Sequence, residues 1–554
     1  MKKVTTVIVL FFTVVIVSAQ FNKHIAPKSF TAEALALKVK ETRLPAFNSI
    51  EAAELDRNES KNGSLPRFAR HIACNLNLTN GTFALNVYPE SKPTGIIAHA
   101  KITSATARGL IVLFDTLYLP EGATLHVFSP DKHQVLGAYT HDNTPTPTPF
   151  NAGIIYGETC VIEYYEPMEQ LGKGIVQIKQ VGHAYRWLDK RKADKIADPS
   201  DPCEVDVACS EGNPWANQIR AVARIVVVDN FGEGFCTGTL VNNTAQNCLP
   251  YFLSAQHCSE GVTTAQFNQW IFYFNYQALS CNDTSGREDQ VINGCTKIAD
   301  SNDNGGDDGS DFLLLKLKSL PPTGYNVFYA GWNNDTFAAP VNGVAIHHPN
   351  GDIKKISSYA GPATSVSWGG NVQNTHWDVQ WVQTANGHGV TEPGSSGAPL
   401  FDNAGLITGT LTGGFSYCST PNQTDQFGKL SYHWLKNGAA NTRRLKPWLD
   451  PTNTGVTTLA GTNAPCGNVS VQEPTEKRMV FNVSPNPSNG RFNLLFENDD
   501  EKTIRVFNYL GQNIAQQKIE AKTYQLNLAG AMQGVYILQV ETKGVTTAQK
   551  IIVE

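Results

Sequence analysis

Hydrophobic and polar positions change rhythm several times along this chain. Lys2 and Lys3 precede an apolar stretch from Val7 to Val17, closed by Val17-Ser18-Ala19 before Gln20. A basic start, a short apolar centre and small residues before a cut describe a signal peptide, with cleavage expected after Ala19. From Ala32 to Glu54 the apolar positions recur with helical spacing among charges, which predicts an amphipathic helix. Beyond it, runs such as Gly109-Leu110-Ile111-Val112-Leu113-Phe114 and Ala123-Thr124-Leu125-His126-Val127-Phe128 are separated by Pro and Gly turns, the pattern of a compact β domain. The charge run Asp189 to Lys195 reads as a solvated linker open to proteolysis. From Cys203 to about Ala460, short β-rich runs alternate with Gly/Asn/Asp/Ser turns, an all-β sandwich or barrel pattern. A Thr/Asn/Gly/Pro-rich connector leads to a last strand-like stretch, Met479 to Glu554. The expected organisation is therefore a signal peptide (1–19), a β-rich N-terminal region (20–195), a main β domain (196–460), a linker (461–478) and a small C-terminal domain (479–554).

Composition narrows the classes. The 554 residues are enough for several domains, and the formal charge of -5 gives no reason to invoke nucleic acid or an anionic membrane. After the signal peptide no apolar run reaches the ~18 residues of a spanning helix, so no integral membrane segment is expected. Eleven cysteines in an exported chain, with no Cys-x-x-Cys pair, favour disulfides over metal binding or thiol chemistry.

The candidate chemistry centres on Gly394-Ser395-Ser396-Gly397-Ala398-Pro399. Glycines permit a sharp, exposed turn, which is how a nucleophilic serine is presented. Such turns more often merely join strands, so Ser396 needs partners. Upstream, Tyr251-Phe252-Leu253-Ser254-Ala255-Gln256-His257-Cys258 puts a histidine at the end of an apolar strand. Between them, Ser310-Asp311-Phe312-Leu313-Leu314-Leu315 carries an aspartate into an apolar strand, where an unpaired carboxylate is costly and an imidazole N–H would satisfy it. In the order His257, Asp311, Ser396 the three form an acyl-transfer constellation, and the order is that of chymotrypsin rather than of subtilisins or α/β-hydrolases.

With these motifs in place, residues 203 to about 460 resemble the bacterial lysyl endopeptidases, a branch of the trypsin-like serine proteases. The resemblance is carried by Asn217 to Val222, Cys236 to Thr244, the His257 and Asp311 segments, Ala330-Gly331-Trp332, Ile346-His347-His348-Pro349 and Gly389 to Gly397. It implies a mainly β, chymotrypsin-like double β-barrel with the site in the cleft, and an oxyanion hole made by the N–H groups of Gly394 and Ser396. It also implies hydrolysis of protein or peptide substrates after lysine, without a cofactor. In Thr424-Asp425-Gln426-Phe427-Gly428 the resemblance makes Asp425 the partner of the substrate ammonium, with Gly413 and Gly414 letting substrate backbone approach. The family carries histidine in a Leu-His-Gly-Gly segment where this chain has Leu411-Thr412-Gly413-Gly414, so Thr412 leaves lysine alone or lysine plus arginine open. Ser395 stands where trypsins hold the aspartate that binds a new N-terminus; the 20–195 region is expected instead to be a folding and inhibitory propeptide. Cleavage after Lys195 would release it, and an enzyme that cuts after lysine could do so itself.

The same resemblance implies disulfides Cys203 with Cys418, Cys209 with Cys281, and Cys236 with Cys258. Cys248 and Cys295 are then left to pair with each other, and Cys74 with Cys160; Cys466 is odd, a free thiol or an intermolecular link. The segment Asp300 to Gly305 with Asp311 superficially fits a calcium loop, but it lacks flanking helices and a closing glutamate. His347 and His348 lack a zinc-motif context, so no metal is expected. Residues 479 to 554 resemble the sorting domain of type IX (Por) secretion substrates, through Ser484-Pro485-Asn486-Pro487-Ser488-Asn489-Gly490, Ile504 to Gly511, Gly534 to Val540 and Lys550 to Val553. That implies a small β-sandwich read by an outer-membrane secretion machine, and a protein secreted or held at the cell surface. The rival readings are the same protease fold with another specificity, and an inactive protease-like cell-surface binding module.

Overall fold

The alternating stretches become antiparallel sheets in the computed structural model, which describes residues 25–30, 39–60, 65–79, 85–88, 94–186, 200–336, 339–464, 481–508, 512–542 and 545–554. The signal peptide, the Asp189–Lys195 run and Cys466 lie outside these residues. The chain divides into two units, Met1–Cys466 and Gly467–Glu554.

In the first unit, the strands used below are β1 (Arg67–Asn77), β2 (Val222–Val228), β3 (Gly232–Leu240), β4 (Tyr251–Ser254), β5 (Leu313–Leu317), β6 (His376–Gln380), β7 (Pro399–Asp402), β8 (Ile407–Gly414) and β9 (Thr424–Lys429). An eleven-stranded sheet runs continuously from Val291–Asn293 through Ile271–Phe274, β2, β3 and β1 to Ile175–Ala184, Gly109–Tyr118 and Thr148–Tyr156, with β4 and β5 branching from β3. The join between its halves is the antiparallel pairing of β1 with β3, in register Gly232 to Arg70, Glu233 to Ala69 and Gly234 to Arg67. Strands from both sides of the expected 195/196 boundary thus share one sheet, and one hydrophobic core containing Phe68, Phe114, Phe235 and Phe272. Burying both faces explains why β2 reads Val-Ala-Arg-Ile-Val-Val-Val rather than alternating. A ten-stranded sheet contains β7, β8, β9 and β6 in that order. A second core, with Leu314, Phe312, Ile346, Phe401 and Trp332, packs residues from both sheets against one another.

The N-terminal helix departs from expectation. Lys40–Arg43 is a strand paired in parallel with Gly95–Thr103, and the helix runs Ser49–Ser60. Pro45 lies between them, removing a donor and disfavouring helix at the residue before it, so the helical pattern cannot run through. The described residues contain no helix long and apolar enough to cross a membrane.

The second unit has a three-stranded sheet (Phe481–Ser484, Arg491–Phe496, Thr523–Asn527) and a four-stranded sheet (Glu501–Phe507, Asn513–Glu520, Gly534–Thr542, Val545–Val553). Arg491–Phe496 alternates exposed and buried residues, and Phe492, Leu494 and Phe496 share a core with Ile504, Val506, Leu538 and Val540. This is a small sandwich with one buried face per sheet.

Disulfides join Cys203 to Cys418, Cys209 to Cys281 and Cys236 to Cys258. The remaining expectations for cysteine are corrected. Cys295 is a free, buried thiol packed beside the Phe267 carbonyl, so it does not pair with Cys248, which is disulfide-bonded. Cys74 and Cys160 enter the first core from different sheets and stay as thiols; burial pushes them up to about 11 and about 12.

Candidate active site

His257 lies in a single helical turn, Gln256–Ser259, directly after β4. The next residue, Cys258, is tied to Cys236 of β3, so strand and turn move together. Asp311 immediately precedes the apolar run into β5, which pairs with β4 from Tyr251–Lys316 to Ser254–Leu313. That pairing sets the imidazole against the carboxylate. His257 donates its backbone N–H to Asp311 Oδ1 at 2.9 Å, and Nδ1 lies 2.7 Å from Oδ2. With an ionised carboxylate opposite, Nδ1 carries the proton and Nε2 is left free to accept one.

Burial works against the charged form of each partner. It would lower His257, but the Asp311 charge and hydrogen bond outweigh it and the imidazole ends above its ordinary value. Burial would raise Asp311, but the His257 charge and the two hydrogen bonds from His257 hold it below the usual range. Asp311 also has a left-handed backbone, φ +60, a conformation that aspartate tolerates better than most residues. It is fixed there by Asp303, whose Oδ2 accepts the Asp311 N–H at 2.8 Å. Asp303 was visible in the sequence only within the discounted calcium pattern; its other oxygen accepts from Ser301 and Gly306.

Ser396 is half-buried between two glycines with positive φ, Gly394 at +97 and Gly397 at +81. A Cβ at Gly397 would fall 2.5 Å from the Thr237 carbonyl, so the turn requires glycine there. Strand β3 grips the turn: Thr237 donates its N–H to the Ser396 carbonyl and its hydroxyl to the Gly394 carbonyl. The Ser396 carbonyl lies 3.9 Å from Cys258 Sγ, which brings the serine beside the His257 turn. Among the described contacts no hydrogen bond joins Ser396 Oγ to His257, and contacts of this kind commonly tighten only around substrate. Ser395 Oγ is buried, 2.8 Å from His347 Nδ1, and accepts the Glu392 N–H. His347 therefore buttresses the turn, a role its sequence context did not reveal.

Backbone donors around the turn divide into two groups. Ser395 N–H goes to Glu392 O and Gly397 N–H to Leu411 O. The N–H groups of Gly394 and Ser396 have no acceptor among the described residues. Two donors without an acceptor on alternate residues of one turn are chemically able to receive an anion.

Asp425, on β9 opposite Gly414 of β8, is buried. Its Oδ2 accepts from Trp381 Nε1 and the Thr391 hydroxyl, each at 2.7 Å, and from the Ser416 hydroxyl; Oδ1 accepts the Ser416 N–H. Despite these donors, burial raises its pKa above the ordinary value. No Lys, Arg or His forms an ion pair with it among the described residues. A Cβ at Gly414 would fall 2.0 Å from Asp425 Oδ1, so a side chain at 414 would fill the space over the carboxylate. Thr412 lies on the same strand, its Oγ1 3.0 Å from His376 Nε2. The Cys203–Cys418 disulfide anchors the loop after Ser416.

Comparison with known proteins assigns a class to this chain: it is a peptidase. Residues 197–428 match the family Lysyl endopeptidase, C-terminal domain. A lysyl endopeptidase of Pseudomonas aeruginosa is 33% identical over 326 residues, spanning 56% of this chain and 67% of that enzyme. The chain belongs to the lysyl endopeptidase family. A solved structure of Rv3671c from M. tuberculosis H37Rv, an inactive serine-to-alanine mutant, aligns with 43% of this chain and 91% of its own at 16% identity and a TM-score of 0.27, too slight a likeness to bear on the fold. Residues 482–554 match the Secretion system C-terminal sorting domain, so the protein is secreted through the outer membrane.

Proposed function

We propose that this protein is a serine endopeptidase that cleaves peptide bonds after lysine. The observation that carries the proposal is the pairing of buried Asp311 with His257 beside the Ser396 turn. His257 Nε2 takes the proton from Ser396 Oγ as the hydroxyl attacks the scissile carbonyl, and Asp311 holds the tautomer and stabilises the imidazolium. The oxyanion is received by the N–H groups of Gly394 and Ser396, each such donor being worth about 3 kcal/mol in the transition state. His257 then protonates the leaving amine, and the acyl-enzyme is hydrolysed by the same steps with water as nucleophile. The lysine preference follows from Asp425, whose buried carboxylate has no cationic partner among the described residues and would be matched by a substrate ammonium, with Gly413 and Gly414 leaving room for substrate.

In this reading the two sheets of the catalytic region serve as the two barrels of a chymotrypsin-like fold, with β4 and β5 contributing His257 and Asp311, and β7 to β9 flanking Ser396 and Asp425. The 20–195 region is the propeptide and a template for folding. The β1–β3 pairing, the Arg67–Asp229 ion pair and the His71–Glu233 contact at 3.2 Å support that role, because they complete an edge of the catalytic sheet.

The test is treatment of processed enzyme with a serine-acylating reagent, alongside Ser396→Ala. Stoichiometric labelling of Ser396 and loss of peptide cleavage are expected together. Undiminished cleavage by Ser396→Ala would sink the mechanism.

A further inference from the structure

Strand β9 ends at Lys429, and the helix Leu430–Leu435 begins at the next residue. A cavity of about 410 Å³ is lined by residues of this helix and of the hairpin that pairs Thr364–Val366 with β6. Two lysines reach it. Lys429 is 7% exposed, its Nζ 4.1 Å from the centre of the Trp377 ring and hydrogen-bonded to the Ser365 hydroxyl. Lys436 enters from the exposed side, its Nζ 5.6 Å over the Tyr432 ring. Elsewhere in this unit buried Lys355 is paired with Asp206. Neither Lys429 nor Lys436 has a carboxylate partner among the described residues, and no residue lining the cavity is acidic.

We propose that this cavity is a binding site for a phosphate or sulfate ester carried on a group the size of one sugar ring. Taking an ammonium out of water without a counter-charge is costly, and an aromatic face returns only part of that cost. A bound dianion would serve both lysines at once. Burial, with Lys436 assisting, lowers Lys429 to about 8, which leaves it charged at neutral pH. The neutral groups around the lysines also donate. Ser365 gives its proton to Asn374 Oδ1, so the Asn374 amide N–H groups remain for a ligand. The hydroxyls of Thr336, Ser431 and Tyr432 line the same space and have no hydrogen-bond partner among the described residues. Together these are more donor groups than the roughly four lone-pair sites of a carboxylate can use, and they suit the larger oxygen shell of phosphate or sulfate. The volume falls within the span of small-molecule sites, about 300–1,000 Å³, and Ala363, Trp377 and Tyr432 give apolar surface to the group that carries the anion.

The site shares no residue with the triad or with the surroundings of Asp425, so its test stands apart from the proposed cleavage. The full chain carrying Ser396→Ala, chosen to block self-digestion, is titrated calorimetrically at fixed ionic strength with glucose 6-phosphate, glucose 6-sulfate, glucose and acetate. At least one ester should bind saturably at one site, about tenfold or more tighter than either glucose or acetate, and the tighter ester names the anion. Lys429→Met should weaken that ester about tenfold, the size of a lost hydrogen bond to a charged group. Lys436→Met should weaken it about threefold, because its ammonium is exposed and screened. No saturable binding of either ester, an affinity no better than that of acetate or glucose, or undiminished affinity in both lysine variants would overturn the proposal. Lys436→Met carries the test if Lys429→Met does not fold, since its side chain lies at the surface.

Discussion

Asp311 and Asp425 are buried aspartates in the same β-rich region, and their surroundings treat the charge in opposite ways. Asp311 faces the His257 imidazole at 2.7 Å and sits below its ordinary pKa. Among the described residues Asp425 faces neutral donors, Trp381, Thr391 and Ser416, and sits above it. Hydrogen bonds alone therefore do not offset burial at Asp425, whereas a hydrogen-bonded cation does at Asp311. One carboxylate has its partner built in; on the proposed reading, the substrate brings a partner to the other. A protein can hold a catalytic charge and a recognition charge in one region by supplying the counter-charge to only one of them.

The largest expected effect lies on the built-in side. Ser396→Ala should reduce kcat by about 10⁶-fold, the range seen when a triad nucleophile is removed, measured on a lysyl peptide after active-site titration. Asp311→Asn should cost about 10⁴-fold. It should also move the acid limb of kcat/KM to lower pH: the Asp311 charge raises His257, so removing it lets the imidazole deprotonate earlier.

Asp425→Asn should act on selection instead, lowering kcat/KM for lysyl peptides by about 10²-fold, as when one partner of a buried charge pair is truncated. Hydrolysis of a small activated ester without a side-chain ammonium should be unchanged. Equal losses on both substrates would remove the distinction between the two aspartates.

Stability should separate them more gently. Asp311 has a depressed folded pKa, so its contribution is present above the unfolded value of about 3.9 and is lost as pH falls through the folded value. Asp425 has a raised one, so its charge destabilises the free enzyme once pH rises through that value. At pH 7, Asp425→Asn should melt no lower than the parent, while Asp311→Asn should melt lower, both read by calorimetry. A shared effect lies below neutrality. His347 and His433, each lowered to about 3 by burial, favour folding only while the unfolded histidines are also neutral. Melting temperature should therefore fall as pH drops below about 6.5 toward 4.

Much of this was legible in the sequence because it depends on local pattern. Short apolar runs and turn residues announced sheets, and the histidine and aspartate motifs named two residues, His257 and Asp311, that the fold sets side by side. What escaped depends on distant side chains. Nothing periodic links Asp303 to the Asp311 amide, His347 to Ser395, or Trp381 to Asp425, and each bond spans a turn or a strand crossover. The β1–β3 join was hidden for the same reason: Arg67 and Gly234 are far apart in the chain and neither segment names its neighbour. The helical spacing from Ala32 to Glu54 misled because Pro45 outweighs periodicity. Cysteine pairing by elimination failed at Cys295 because a buried thiol is stable without a partner.

The central claim is that the charge without a cation selects the substrate. The most direct test digests a denatured protein mixture with processed parent enzyme and with Asp425→Asn, and maps every new terminus by mass spectrometry. The account predicts cuts after lysine for the parent and loss of that preference in the variant. A variant that cuts after lysine with the parent's preference would contradict it.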